Sequence, residues 1–252
     1  MAGTYDRIAR FYDVDMGQSM RFDDVAFYAH RCARERGSVL ELGCGNGRIL
    51  LPLLAQGLDA YGVDASAPML AELARKARAK ALPLRAARAD ARRLPLRPGF
   101  AAILCPYSLV TYMTARADLT ALLAGARSLL APRGVLVVDA FVPQPVVATG
   151  EFSPDYRRPF GALMLARSKR IAPQVDGTNR IERRYELIAS GGRVVETIEA
   201  AETIRPYSPA ELRDAVAGAG LAVVDEAWDY GTRPAGGGAQ FFTLVARKRG
   251  DD

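Results

Sequence analysis

Histidine, cysteine, tryptophan and lysine are all scarce in this 252-residue chain. The single histidine, His30, excludes a metal site built on several imidazoles, and any histidine-based catalytic triad would have to use that one residue. The three cysteines, Cys32, Cys44 and Cys105, are odd in number, well separated and form no CxxC pair, so neither a disulfide framework nor a zinc site is indicated. No run reaches the roughly 18 consecutive apolar residues of a membrane span. The opening Met1-Ala2-Gly3-Thr4-Tyr5-Asp6-Arg7 has no apolar signal core. A cytoplasmic protein without a membrane partner is the expectation. Lysine is confined to Lys76, Lys80, Lys169 and Lys248, so arginine carries most of the positive charge behind the net +6. The arginines are interspersed with acidic residues and form no block or tail, which argues against a nucleic-acid partner.

What is present is material for a full core: half the residues are hydrophobic and a quarter are charged. Ser38–Leu42 reads as a buried strand, followed at once by Gly43-Cys44-Gly45-Asn46-Gly47 and an apolar helix over 48–57. A second strand, 60–63, closes with Asp64. Ser66 and Pro68 then open a helix that runs to about Lys80. Strands follow at 84–89, 100–105 and 135–139. A stripe of Leu119, Leu122, Leu123, Ala126, Leu129 and Leu130 marks a helix before the last of these. Strands alternating with helices predict an α/β fold with a doubly wound, mostly parallel sheet. Prolines at 143, 145, 154 and 159 suggest an irregular connection over 141–160, and 162–205 reads as antiparallel strands with a turn at Ser190-Gly191-Gly192. A helix opening at Ser208-Pro209-Ala210-Glu211 and two strands near 221–228 and 240–247, joined through Gly236-Gly237-Gly238, complete the chain. The organisation expected is an N-terminal helical lid over 1–36, a cofactor-binding core over 37–140 and 206–252, and an antiparallel β insertion over 141–205 that caps the acceptor or forms a dimer contact.

Glycines directly after a buried strand let the backbone approach a ligand closely, and an acid ending the next strand is placed for the hydroxyls of a ribose. Gly43, Gly45, Gly47 and Asp64 together therefore point to a nucleoside-containing cofactor. The spacing is GxGxG, with Arg48 where the third glycine of a dinucleotide loop would stand, and no GK[ST] follows to make a P-loop. Here the chain resembles the class I S-adenosylmethionine-dependent methyltransferases. Glu41-Leu42-Gly43-Cys44-Gly45-Asn46-Gly47 is similar to their first motif, Val63-Asp64 to the second and Ala89-Asp90-Ala91 to the third. The resemblance covers 38–140 well and 208–247 more loosely. It implies a Rossmann-like seven-stranded sheet whose last strand is antiparallel, with the β insertion after the fifth strand. It also implies S-adenosylmethionine as cofactor, S-adenosylhomocysteine as product and no metal. The cofactor residues implied are Glu41, Gly43, Cys44, Gly45, Asn46, Asp64, Ala65, Met69, Asp90, Ala91 and Cys105. Tyr5-Asp6-x-x-Ala9-x-x-Tyr12-Asp13 resembles the helix that closes over the cofactor in small-molecule members, which adds Tyr5 and Tyr12.

On the acceptor side, Tyr107, Ser108 and Tyr112 follow the fourth strand at the edge where such sites form, and Tyr107, Tyr112 and Tyr12 are the candidate positioning residues. Cys105-Pro106-Tyr107 is similar to part of the Asn-Pro-Pro-Tyr motif of amino-methylating nucleic-acid enzymes but lacks the Asn, so that activity is not carried over. Trp228-Asp229-Tyr230 borders the expected acceptor pocket. Arg157, Arg158, Arg167, Arg183, Arg184 and Arg233 are read either as solvated strand charges or as a clamp for an acidic group on the substrate. His30 reads as a structural or surface residue. The sequence offers no convincing base, which favours methylation of nitrogen in a small-molecule acceptor over oxygen or carbon. An RNA or protein methyltransferase and a non-catalytic cofactor-binding or assembly protein are the alternatives. An exposed edge strand of the insertion would support a homodimer.

Overall fold

The computed structural model describes residues 3–17, 19–234 and 238–250. Met1 and Ala2 at the chain start, and Gly236 and Gly237 of the late glycine run, lie outside the described residues. The N-terminal stretch forms α1 (Thr4–Ile8) and α2 (Tyr12–Gly17), followed by α3 (Asp24–Ala33). Then come β1 (Val39–Leu42), α4 (Leu50–Ala55), β2 (Ala60–Asp64), α5 (Ala67–Ala79), β3 (Ala86–Arg88), β4 (Phe100–Cys105), α6 (Arg116–Leu129) and β5 (Leu130–Phe141). Four further strands follow: β6 (Ser153–Phe160), β7 (Leu163–Pro173), β8 (Asn179–Ile188) and β9 (Val194–Ile204). The chain closes with α7 (Pro209–Gly218), β10 (Leu221–Trp228) and β11 (Phe241–Lys248).

The chain divides into two compact units, one of residues 22–143 and 206–252 and the other of 1–21 and 144–205. The larger unit is a seven-stranded sheet of order β10-β11-β5-β4-β1-β2-β3, with β1, β2, β3, β4 and β5 parallel. β11 runs antiparallel between β5 and β10. This is the Rossmann-like sheet expected. All six residues of β4 are buried, as a parallel strand covered on both faces must be. Of the stripe read for α6, Leu119, Leu122, Leu123, Ala126 and Leu129 enter the core from the helix, while Leu130 opens β5. α5 starts where Ser66 Oγ accepts the Met69 amide, and α7 starts in a Ser208/Glu211 capping box.

The smaller unit is a four-stranded antiparallel sheet of order β6-β7-β8-β9, on which the N-terminal residues pack. Ile8 and Phe11 join Leu165, Tyr185 and Leu187 in one apolar cluster. The boundary between units therefore falls at 21/22, inside the segment read as one lid over 1–36, and α3 belongs with the parallel sheet.

Three elements differ from the sequence reading. Pro154 and Pro159 signalled an irregular stretch, yet both lie in β6, which is an edge strand; there a missing N–H can face away from the ladder. β5 reaches back through Pro132-Arg133-Gly134, with Arg133 in the left-handed region (φ 58°) and a register shift in its pairing with β4. β3 is reduced to three exposed residues at the other edge of the large sheet.

Candidate functional site

The glycine turn leaves β1 and is tied to the end of β2. The Gly43 and Cys44 amides donate to the Val63 carbonyl at 2.8 and 3.0 Å, and the Gly47 amide donates to Cys44 O at 2.9 Å. A side chain at Gly47 would be intolerable: φ is +89° and its Cβ would sit 2.4 Å from Leu73 Cδ1. A Cβ on Gly43 would meet Leu109 at 2.9 Å, so the segment after β4 lies directly against the loop. Asp64, ending β2, accepts the Gly45 amide on one carboxylate oxygen and the Ser66 amide on the other, both at 2.8 Å. These bonds aim the carboxylate at the carboxyl edge of the sheet.

Glu41 is 2% exposed, and its Oε2 has no hydrogen-bond partner. Burial pushes its carboxyl well above the usual range. The Arg48 guanidinium opposes that rise, while Asp64 and Asp24 add to it. Arg48 pairs with the buried Asp24 through two bonds of 2.7 Å and stands 5.3 Å over the Tyr107 ring. Asp90 is bound by Arg92, whose hydrogen bond holds that carboxyl below its usual range; Arg92 also reaches Asp118 at 3.1 Å.

Of the other sequence-derived cofactor residues in the large unit, Met69 and Asn46 stand at this loop. Met69 is buried with its methyl 3.1 Å from where a Gly45 Cβ would be. Asn46 is buried, Ala65 O accepts the Arg88 side chain, and Ala91 packs on the core. Cys44 and Cys105 are buried thiols whose pKa burial drives upward, as inert core cysteines behave. Tyr112 packs on the same core. Tyr5 and Tyr12, by contrast, are an edge-to-face pair 5.9 Å apart packed on the β7–β8 cluster of the other unit.

Asp139, near the carboxyl end of β5, was not among the residues singled out, and it is the hub of a buried hydrogen-bond cluster at that edge of the sheet. It is fully buried. Its Oδ2 accepts the hydroxyls of Tyr28 (2.5 Å) and Tyr230 (2.7 Å), and its Oδ1 accepts the Ser108 amide (2.5 Å). The Tyr107 amide also donates to it. Burial raises the Asp139 carboxyl, with these four donors opposing the rise, and burial raises both phenols, so the tyrosines stay donors. Around it stands an aromatic wall: Phe141–Phe241 at 4.6 Å, Tyr230–Phe241 at 5.3 Å and Tyr107–Phe141 at 5.5 Å between centroids. The signal available in the sequence was the one used for Asp64, an acid ending an apolar parallel strand.

His30 is exposed on α3 and, with Phe27, Arg31, Trp228 and Arg233, lines a cavity of about 540 Å³. Arg233 approaches Asp229 at 3.1 Å. The insertion arginines Arg167, Arg183 and Arg184 each meet a carboxylate of their own unit, and Arg158 is buried against the Val14 and Asp15 carbonyls. Among the described residues, no group of three acidic, His or Cys side chains is disposed to hold a metal, and no helix is long and apolar enough to cross a membrane.

Residues 39–134 match a family model described as a methyltransferase domain. The CcbJ methyltransferase of Streptomyces caelestis superposes with a TM-score of 0.81 at 25% identity over 98% of both chains. These matches support the class I S-adenosylmethionine-dependent methyltransferase family for this chain, with residues 39–134 as its methyltransferase domain. Its cofactor is S-adenosylmethionine, and two orphaned features of the turn suit that molecule. The unpartnered, buried Glu41 Oε2 matches an ammonium group, and Gly43, Gly45 and Gly47 leave three of the loop's five positions without a side chain. Among curated proteins, this methyltransferase is 37% identical over 115 residues to a demethylmenaquinone methyltransferase of Thermus thermophilus. That match spans 44% of the present chain and about half the length of the relative (50%). It is 28% identical over 225 residues to the dTDP-3-amino-3,6-dideoxy-alpha-D-glucopyranose N,N-dimethyltransferase of Streptomyces fradiae, covering 86% of this chain and 84% of that one.

Proposed function

We propose that this methyltransferase moves a methyl group onto the nitrogen of a small-molecule amine, with an amino sugar as the acceptor class. The observation that carries the reading is the aromatic wall of Tyr107, Phe141, Phe241 and Tyr230 at the carboxyl edge of the sheet. Flat aromatic faces suit the C–H face of a sugar ring and supply contact area without placing a charge beside the acceptor. The near full-length likeness to an amino-sugar N,N-dimethyltransferase supports the same class. An amine that binds neutral needs no dedicated base, and no ionised side chain is required at the rim.

Bound S-adenosylmethionine supplies a methyl already activated on a sulfonium. The chain's part is to hold and orient. Glu41 would hold the ammonium, Asp64 the ribose hydroxyls and the Asp90–Ala91 turn the adenine, and Gly43 to Gly47 would let the backbone run close to the cofactor. Met69, beside Gly45, would pack against it. Tyr107 and Tyr112 orient the acceptor. Such alignment is worth roughly 7–11 kcal/mol of the barrier.

The test is methyl transfer from labelled S-adenosylmethionine, followed by mass spectrometry, to a nucleotide-linked amino sugar, a simple primary amine, a phenol and RNA. The expected result is mono- and dimethylation of the amino sugar in preference to the simple amine. Transfer to the phenol or the RNA alone contradicts the reading.

A further inference from the structure

We propose that Asp139 is a positioning residue of the methyl transfer, acting through the Tyr107–Ser108 turn. The proposal rests on the acceptor lying at the aromatic rim. An ionised carboxylate offers about four acceptor sites, and Asp139 meets four donors: two phenols and two consecutive amides. Those amides belong to two non-glycine residues in the left-handed region, Tyr107 at φ 53° and Ser108 at φ 59°. Such residues persist only where their surroundings over-determine them. Here the determinants are Asp139 from below and Phe141, whose amide donates to Ser108 Oγ at 2.8 Å.

The turn matters because of what it touches. The Tyr107 ring packs on Phe141 and Phe241 and lies under Arg48, the residue that follows the glycine loop. Leu109, two residues on, abuts Gly43 within that loop. The same carboxylate ties down Tyr28 of α3 and Tyr230 after β10. One buried charge thus sets four separate chain segments in register around the place where acceptor and cofactor meet, while itself remaining out of reach of both.

The choice of Asp over Asn follows from the donors. The phenol hydroxyls can rotate to accept a bond, but the two amides cannot. In Asp139→Asn the remaining carbonyl oxygen serves the amides and the NH2 serves the tyrosines, so the turn survives. In Asp139→Ala nothing holds it.

The experiment compares wild type, Asp139→Ala and Asp139→Asn in three readouts: acceptor kinetics, S-adenosylhomocysteine affinity by calorimetry, and Ser108 amide hydrogen exchange. Asp139→Ala is expected to lower kcat/KM for the acceptor about 100-fold, the scale of a misplacement of about 1 Å. Its S-adenosylhomocysteine Kd stays within about twofold, a shift of less than half a kcal/mol, and Ser108 protection is lost. Asp139→Asn should restore protection and bring kcat/KM back to within about tenfold of wild type. In a Tyr107→Ala background, which removes the ring the turn positions, Asp139→Ala should add less than about threefold, because residues in one network do not add. Unchanged kcat/KM below the melting temperature, unchanged Ser108 protection, or the full loss repeated in the Tyr107→Ala background overturns the proposal. If wild type methylates no amine, the acceptor reading falls instead, and Ser108 exchange still decides whether Asp139 holds the turn.

Discussion

Each unit buries one aspartate that gathers tyrosine hydroxyls, and the two do it under opposite electrostatics. In the smaller unit, Asp15 accepts from Tyr156 (2.6 Å) and Tyr185 (3.2 Å) and is paired with Arg167, which also holds Asp155. The guanidiniums of Arg158 and Arg167 lie over the Tyr156 ring, 3.9 and 4.5 Å from its centroid. In the larger unit, Asp139 has four neutral donors and, among its described partners, no cation. A charge compensated by arginine behaves as a weld: it fastens α2 to β6, β7 and β8, and its loss leaves a buried cation. A charge compensated only by dipoles fixes direction, because the backbone amides among its donors have one geometry. The first suits a scaffold and the second suits a rim whose shape must be set.

The sharpest way to break the contrast is Asp15→Ala, which strands Arg167 with a single remaining partner. It should destabilise the protein by about 3 kcal/mol, the low end for breaking a buried pair, seen as a lower midpoint in urea unfolding. Asp139→Ala should cost less, about 2 kcal/mol, because no buried cation is left behind, only donors without acceptors. The same urea titration orders the two, and a reversed order removes the distinction between weld and guide.

Glu41→Gln probes a further buried acid. Replacing a carboxyl whose pKa burial has raised removes a desolvation penalty, so the free protein should gain about 1 kcal/mol at neutral pH. S-adenosylmethionine binding should weaken about tenfold, or about 1.4 kcal/mol. Melting curves with and without ligand report both. The pH profile has a definite sign. Glu41 and Asp139 are both raised in the folded protein, so from about pH 4 upward the native state holds more protons than the unfolded chain, and stability falls as pH rises through their folded values. Melting temperatures against pH should show a shallower fall in Glu41→Gln. The smallest effect belongs to the exposed Arg10–Glu196 pair, where Glu196→Gln should change stability by less than about 1 kcal/mol.

Much of the large unit was legible because its signals are local. Phe100–Cys105 is an unbroken apolar run, and Gly43, Gly45, Gly47 and Asp64 announce themselves by spacing across 22 residues. The Asp139 hub was not legible, since its partners Tyr28, Tyr230 and Ser108 are 111, 91 and 31 positions away. Nothing in the pattern around any of them records the others. The Asp24–Arg48 pair hid for the same reason, joining a helix to a loop 24 residues on. β6 was misread because proline is a reliable strand breaker only away from an edge, and edge position is a property of the assembled sheet.

The most direct measurement is calorimetric titration of S-adenosylhomocysteine into wild type and Asp64→Ala, with NADH as the control ligand. The expected result is one-site binding to wild type, none of NADH, and about 100-fold weaker binding to the variant, from two lost charge-assisted bonds of about 1.5 kcal/mol each. Equal affinity in both proteins, or binding of NADH alone, would contradict a cofactor site built on the glycine turn and Asp64.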